Sequence, residues 1–78
     1  MQSILLVEDD RKIARVVKAY LEGAGFRVIH FDKGRDAVNA AMKDVPAAVI
    51  LDLMLPDISG EEVCQDLKDI GDFPIIML

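Results

Sequence analysis

Two short apolar runs in this chain each end abruptly in acid. Ile4-Leu5-Leu6-Val7 passes straight into Glu8-Asp9-Asp10, and Ala48-Val49-Ile50-Leu51 passes straight into Asp52. Four-residue runs rich in branched side chains read as strands buried on both faces of a parallel sheet. In open parallel α/β sheets the functional crevice lies outside the carboxyl ends of the strands, at the point where strand order reverses. Two neighbouring strands would then deliver Glu8, Asp9 and Asp52 to one small spot. Carboxylates that close repel one another and need a cation or a raised pKa. The pattern predicts a divalent metal site with one carboxylate free to react.

The rest of the chain fits helices between strands. The first strand is expected over residues 3–8, with Asp10 as the cap of a helix. Ile13, Val16, Val17, Tyr20 and Leu21 form its apolar stripe, and Gly23 and Gly25 end it, one of them in the left-handed conformation. Phe26 to Phe31 reads as a second, more exposed strand. A second helix spans about Gly34 to Lys43, with Ala37, Val38, Ala41 and Met42 inward. Pro46 precedes a third strand over Ala47 to Leu51. Residues 54–60 carry turn chemistry, then a third helix runs from about Glu61 to Lys68 with Val63 and Leu67 buried. Ile75 to Leu78 is the fourth strand. The order βαβαβαβ, with right-handed crossovers, predicts a doubly wound three-layer α/β fold with sheet order 2-1-3-4.

Composition narrows the function. Seventy-eight residues make one small domain, which buries only roughly 60–65% of its unfolded surface. A net charge of −5 argues against a nucleic-acid surface and suits a site that attracts cations. A single cysteine, Cys64, requires no oxidising compartment. No apolar run reaches the roughly 18 residues of a membrane span, and Met1 leads into a strand rather than a signal sequence. A cytoplasmic location is the expectation, with no membrane partner.

At this point the residues resemble a family. Ile4-Leu5-Leu6-Val7-Glu8-Asp9-Asp10, followed by Val49-Ile50-Leu51-Asp52-Leu53-Met54-Leu55-Pro56-Asp57-Ile58-Ser59-Gly60, looks like the receiver domain of bacterial two-component response regulators, a flavodoxin-like fold. The resemblance implies that Asp52 is the phosphoacceptor, taking phosphoryl from a histidine kinase. It also implies that Asp9 ligates Mg²⁺ directly, that Glu8 acts largely through a metal-bound water, and that the Met54 backbone carbonyl completes the protein ligands. Pro56 and Gly60 would shape the loop. Such a domain is a phosphoacceptor rather than a turnover enzyme, with at most weak self-dephosphorylation. The chemistry agrees: a carboxylate can attack phosphorus, and Mg²⁺ prefers oxygen ligands including one or two carboxylates.

A receiver has five strands and five helices, whereas residues 1–78 reach only the fourth strand. The chain is therefore expected to be a partial receiver, lacking the hydroxyl residue after the fourth strand, the lysine that ends the fifth, and the helix that covers the first helix's side of the sheet. Lys33, Lys43 and Lys68 match neither motif. Phosphorylation would be impaired, and the bare fourth strand or sheet face would favour a homodimer. The Asp-x-Met-Leu-Pro string is similar to regulators with a winged-helix DNA-binding output domain. A second reading is a catalytically silent interaction fragment that folds as a dimer or with a completing partner; a third, weaker one is a metal-dependent phosphatase. Elsewhere the plain readings apply. Asp57 is a solvated loop acid, His30 a structural or exposed strand histidine rather than a relay residue, Cys64 a packed thiol, and Met42, Met54 and Met77 packing residues. Asp66, Lys68 and Asp69 form a solvated helix face.

Overall fold

The alternation of the apolar runs decides the layers. Side chains of successive strand residues point to opposite faces of a sheet, so a run with no polar position presents apolar side chains to both. The computed structural model describes residues 3–78; Met1 and Gln2, the first two positions of the expected unit, lie outside the described residues. Its elements are β1 (Ile4–Val7), α1 (Arg11–Gly23), β2 (Val28–Phe31), α2 (Gly34–Lys43), β3 (Ala48–Leu51), α3 (Gly60–Ile70) and β4 (Ile75–Met77). The four strands pair in parallel in the order β2-β1-β3-β4, as expected. No helix among the described residues is long and apolar enough to cross a membrane.

The register is regular. Ile4 faces Val28 and Ala48, and Val7 faces Phe31 and Leu51. Leu5, Val7, Val49 and Leu51 point to one side, where Ala37 and Ala41 of α2 and Val63 and Leu67 of α3 close a core whose members are at most 3% exposed. Ile4, Leu6 and Val28 point to the other side, against Ala14 of α1, with Val17, Leu21 and Ile50 half-buried beside them.

Each helix has a local cause. The Asp10 carboxylate accepts from the Lys12 amide at 2.9 Å and the Ile13 amide at 3.2 Å, satisfying two of the free donors of the first turn. At the far end Gly25 takes φ +96°; its amide donates to the Glu22 carbonyl at 3.0 Å and the Phe26 amide to the Leu21 carbonyl at 3.1 Å. That pair of bonds is a Schellman ending, and it needs a residue free to adopt positive φ. Ser59 caps α3 through the Glu62 amide at 3.1 Å.

Three packing expectations are corrected. Ile13, Val16 and Tyr20 are 46%, 69% and 78% exposed, so the buried face of α1 is centred on Ala14, to one side of the stripe. A small residue there lets the helix lie close to β1 and β2. Met42 is 67% exposed at the end of α2, and the Met54 side chain is 80% exposed in its loop; neither fills the core. The second strand begins at Val28, not Phe26, because the turn at Gly25 consumes the preceding residues.

Candidate functional site

The ladder that pairs β1 with β3 also places the acids. Val7 lies opposite Leu51, and the Asp52 amide donates to the Val7 carbonyl at 3.0 Å. Glu8 and Asp52 therefore leave neighbouring strands at the same level. On the other flank the Glu8 amide donates to the Phe31 carbonyl at 3.0 Å. His30 Nε2 donates to the Glu8 carbonyl at 2.7 Å. The end of β1 is thus tied from both sides.

Carboxylate oxygens of Glu8, Asp9 and Asp52 all lie within 4.8 Å of one another. Glu8 is buried, Asp52 half-buried and Asp9 exposed, so the cluster opens toward Asp9. Burial pushes the Glu8 carboxyl from its ordinary 4.5 up to about 7, helped by its hydrogen bond with Asp52 and by that group's negative charge; the Asp10 amide, 3.2 Å from Oε2, opposes the rise. Near neutral pH a proton thus relieves the crowding. Three hard oxygen donors in one acidic pocket fit a hard divalent cation, which would displace that proton.

The loop after β3 completes the surroundings. The Met54 amide donates to Asp52 Oδ1 at 3.1 Å and so orients the carboxylate. Asp9, Met54 and Pro56 line one open groove. Gly60 begins α3, its amide on the Leu53 carbonyl at 3.2 Å. A Cβ on Gly60 would meet the Leu53 Cα at 2.7 Å and the Asp52 carbonyl oxygen at 2.9 Å, which requires a residue without one. Glu8, Asp9 and Asp52 are brought together, and Met54, Pro56 and Gly60 border them.

Three contributions escaped the sequence reading. The Ser59 cap carried a signal, since Ser-x-x-Glu before an apolar stripe is the capping-box pattern. His30 was read as structural or exposed, but its bond to Glu8 had no local signature. Asp57 is exposed but not merely solvated: its Oδ1 accepts from the Gly34 amide and its Oδ2 from the Arg35 amide, both at 2.9 Å.

Comparison with known proteins agrees with this geometry. The response regulator receiver domain family matches residues 4–78. The probable transcriptional regulator ycf27 of Pyropia yezoensis is 39% identical over 77 residues, covering 99% of this chain and 32% of that protein; the chain thus spans about a third of the length of such curated relatives. The BeF3-activated N-terminal receiver domain of RstA from Klebsiella pneumoniae superposes with a TM-score of 0.90 at 32% identity, covering 97% of this chain and 65% of that one. The receiver domain of the sensor histidine kinase PA1611 from Pseudomonas aeruginosa, solved with a magnesium ion coordinated in the active site cleft, gives 0.91 at 32% identity over the same shares. With the sheet order, the acidic cluster and the sequence match in accord, this chain belongs to the response regulator receiver domain family.

Proposed function

We propose that Asp52 is the phosphoacceptor of this receiver, taking a phosphoryl group from a histidine kinase, with Mg²⁺ held by Glu8, Asp9, Asp52 and the Met54 carbonyl. The observation that carries this reading is the convergence of three carboxylates within 4.8 Å at the carboxyl ends of β1 and β3. When bound, the metal supplies charge neutralisation for the incoming phosphoryl oxygens. The Asp52 carboxylate forms the new bond to phosphorus as the bond from phosphorus to the donor nitrogen breaks. The donor nitrogen keeps the electron pair and takes a proton. The Met54 amide orients Asp52 for that attack, while Pro56 and Gly60 shape the loop. Asp52 is an acceptor consumed once per event, so the chain is not a turnover enzyme.

Relatives named as transcriptional regulators support a role in gene control, and the net charge of −5 argues against nucleic-acid contact by these residues themselves. We place the module in the cytoplasm, as one unit over residues 1–78 corresponding to the first four strands of a receiver. Ile76 within β4 and Leu78 just after it, each 54% exposed, support pairing of two copies through that edge or the neighbouring sheet face.

Incubation with a small phosphodonor and Mg²⁺, followed by intact mass, tests the acceptor. One added phosphoryl group is expected in the unmodified chain, and none in Asp52→Asn or without metal. Equal labelling of Asp52→Asn would overturn the assignment.

A further inference from the structure

Helix α2 lacks a cap of its own. Lys33 occupies the capping position with extended φ and ψ, but its side chain makes no capping bond. The first amides of a helix need acceptors, and here they come from a residue 23 and 22 positions further along the chain. Asp57, in the loop between β3 and α3, takes the Gly34 and Arg35 amides with its two carboxylate oxygens, each at 2.9 Å. The carboxylate also complements the positive end of the helix. Partial desolvation would raise its pKa, but backbone amides, those of Arg35 and Gly34 first and then those of Ile58 and Asp57 itself, together hold it below the ordinary 3.8. The ion is therefore the form the clamp selects.

The seat beneath this clamp is tight. A Cβ on Gly34 would overlap Val63 Cγ2 and come within 3.1 Å of Ile58 Cγ1 and 3.2 Å of Leu55 Cδ1. Leu55 and Ile58 flank Asp57 and are packed against the main core cluster. The loop is tied to Asp52 at one end through the Met54 amide and to α3 at the other through Ser59; Asp57 ties its middle to a third element.

On the reading that the Met54 carbonyl is a metal ligand, we infer that Asp57 is a positioning residue of the metal site: by capping α2 from the β3–α3 loop it holds the segment that carries Met54, and so couples cation binding to the order of the first turn of α2. A cap with no such role would lower stability and leave metal affinity untouched. Coupling requires both to change, and requires metal to protect the two capped amides.

Magnesium titration of the full chain by amide NMR, well below its melting temperature, separates these cases. Asp57→Ala should weaken Mg²⁺ binding about tenfold, the scale of lost outer contacts around a metal. Asp57→Asn, which keeps one acceptor oxygen, should restore part of that loss. Saturating Mg²⁺ should slow hydrogen exchange at Gly34 and Arg35 in the unmodified chain and not in Asp57→Ala. Unchanged Mg²⁺ affinity in Asp57→Ala, with a lowered melting temperature, would overturn the coupling while leaving the metal site standing. Equal Mg²⁺ binding by Asp9→Asn and the unmodified chain would overturn the metal-site reading itself, and the coupling with it. In that event, exchange at Gly34 and Arg35 in metal-free Asp57→Ala still reports the clamp separately.

Discussion

The two faces of the sheet are covered very differently. Between the sheet and helices α2 and α3, eight residues are at most 3% exposed, and Leu55, Ile58 and Phe73 pack around them. On the α1 side four residues form the buried set, and Ile13, Val16, Tyr20 and Ile76 remain largely open. One helix spans the width of about two strands, so α1 lies over β1 and β2 and leaves β3 and β4 thinly covered on that face. The loop after Asp52 belongs to the dense side. The dense packing and the loop that borders the site thus share one face, and exposed apolar surface lies on the other.

The largest expected difference is between single truncations on the two faces. Leu67→Ala, at a fully buried position, should cost about 3 kcal/mol in a urea titration, from lost burial plus the cavity. Comparable losses on both faces would break the asymmetry.

Gly60→Ala should cost about 2 kcal/mol, because the atoms its Cβ would meet are backbone atoms of Asp52 and Leu53, which cannot rotate away. Metal binding should weaken in parallel, since those atoms border the acids. An unchanged melting temperature and Mg²⁺ titration would show that the dense side yields more readily than its packing implies.

The Asp57 clamp sharpens the comparison through pH. Its folded pKa lies below 3.8, so its contribution is present above that value and is lost as pH falls through the depressed folded one. Asp57→Asn should therefore be less stable than the unmodified chain at neutral pH, by under about 1 kcal/mol. The gap should close in acid. A gap that widens on acidification would contradict the clamp.

Val16→Ala, on the open face, should change monomer stability by no more than about 0.5 kcal/mol. If two copies cover each other there, the same substitution should shift the dimer equilibrium seen by sedimentation. A large stability loss independent of concentration would mean that Val16 is buried within one chain.

Much of this was legible in the sequence. The runs at Ile4–Val7 and Ala48–Leu51 have no polar position and end in acid, which was enough to give the full burial of β1 and the meeting of Glu8 with Asp52; β3 is buried only at Val49 and Leu51, because the face that carries Ala48 and Ile50 is thinly covered. Asp10 announced its cap, and the pair Gly23 and Gly25 announced a positive φ at one of the two, which Gly25 takes, since both are local effects. What stayed hidden depends on distant partners. The stripe of α1 is wider than its contact with the sheet, so periodicity alone could not choose Ala14 over Ile13 and Val16 as the centre of the buried face. Asp57 resembled any loop acid, because the amides it serves are 23 and 22 residues away.

The even pairing of β1 with β3 has a consequence for how such a chain can change length. Each β1 residue faces the residue 44 positions later, as with Ile4 and Ala48 (48 − 4 = 44). Yet that interval is not what aligns the acids; the hydrogen-bond ladder does. Residues could be gained or lost at the turns around Gly25 or Asp44 while Glu8 and Asp52 still emerged side by side. A single residue inserted within either strand would instead turn its side chains to the opposite face and carry one acid out of reach. Tolerance to length variation therefore differs sharply between the turns and the strands, though both lie along the same stretch of chain.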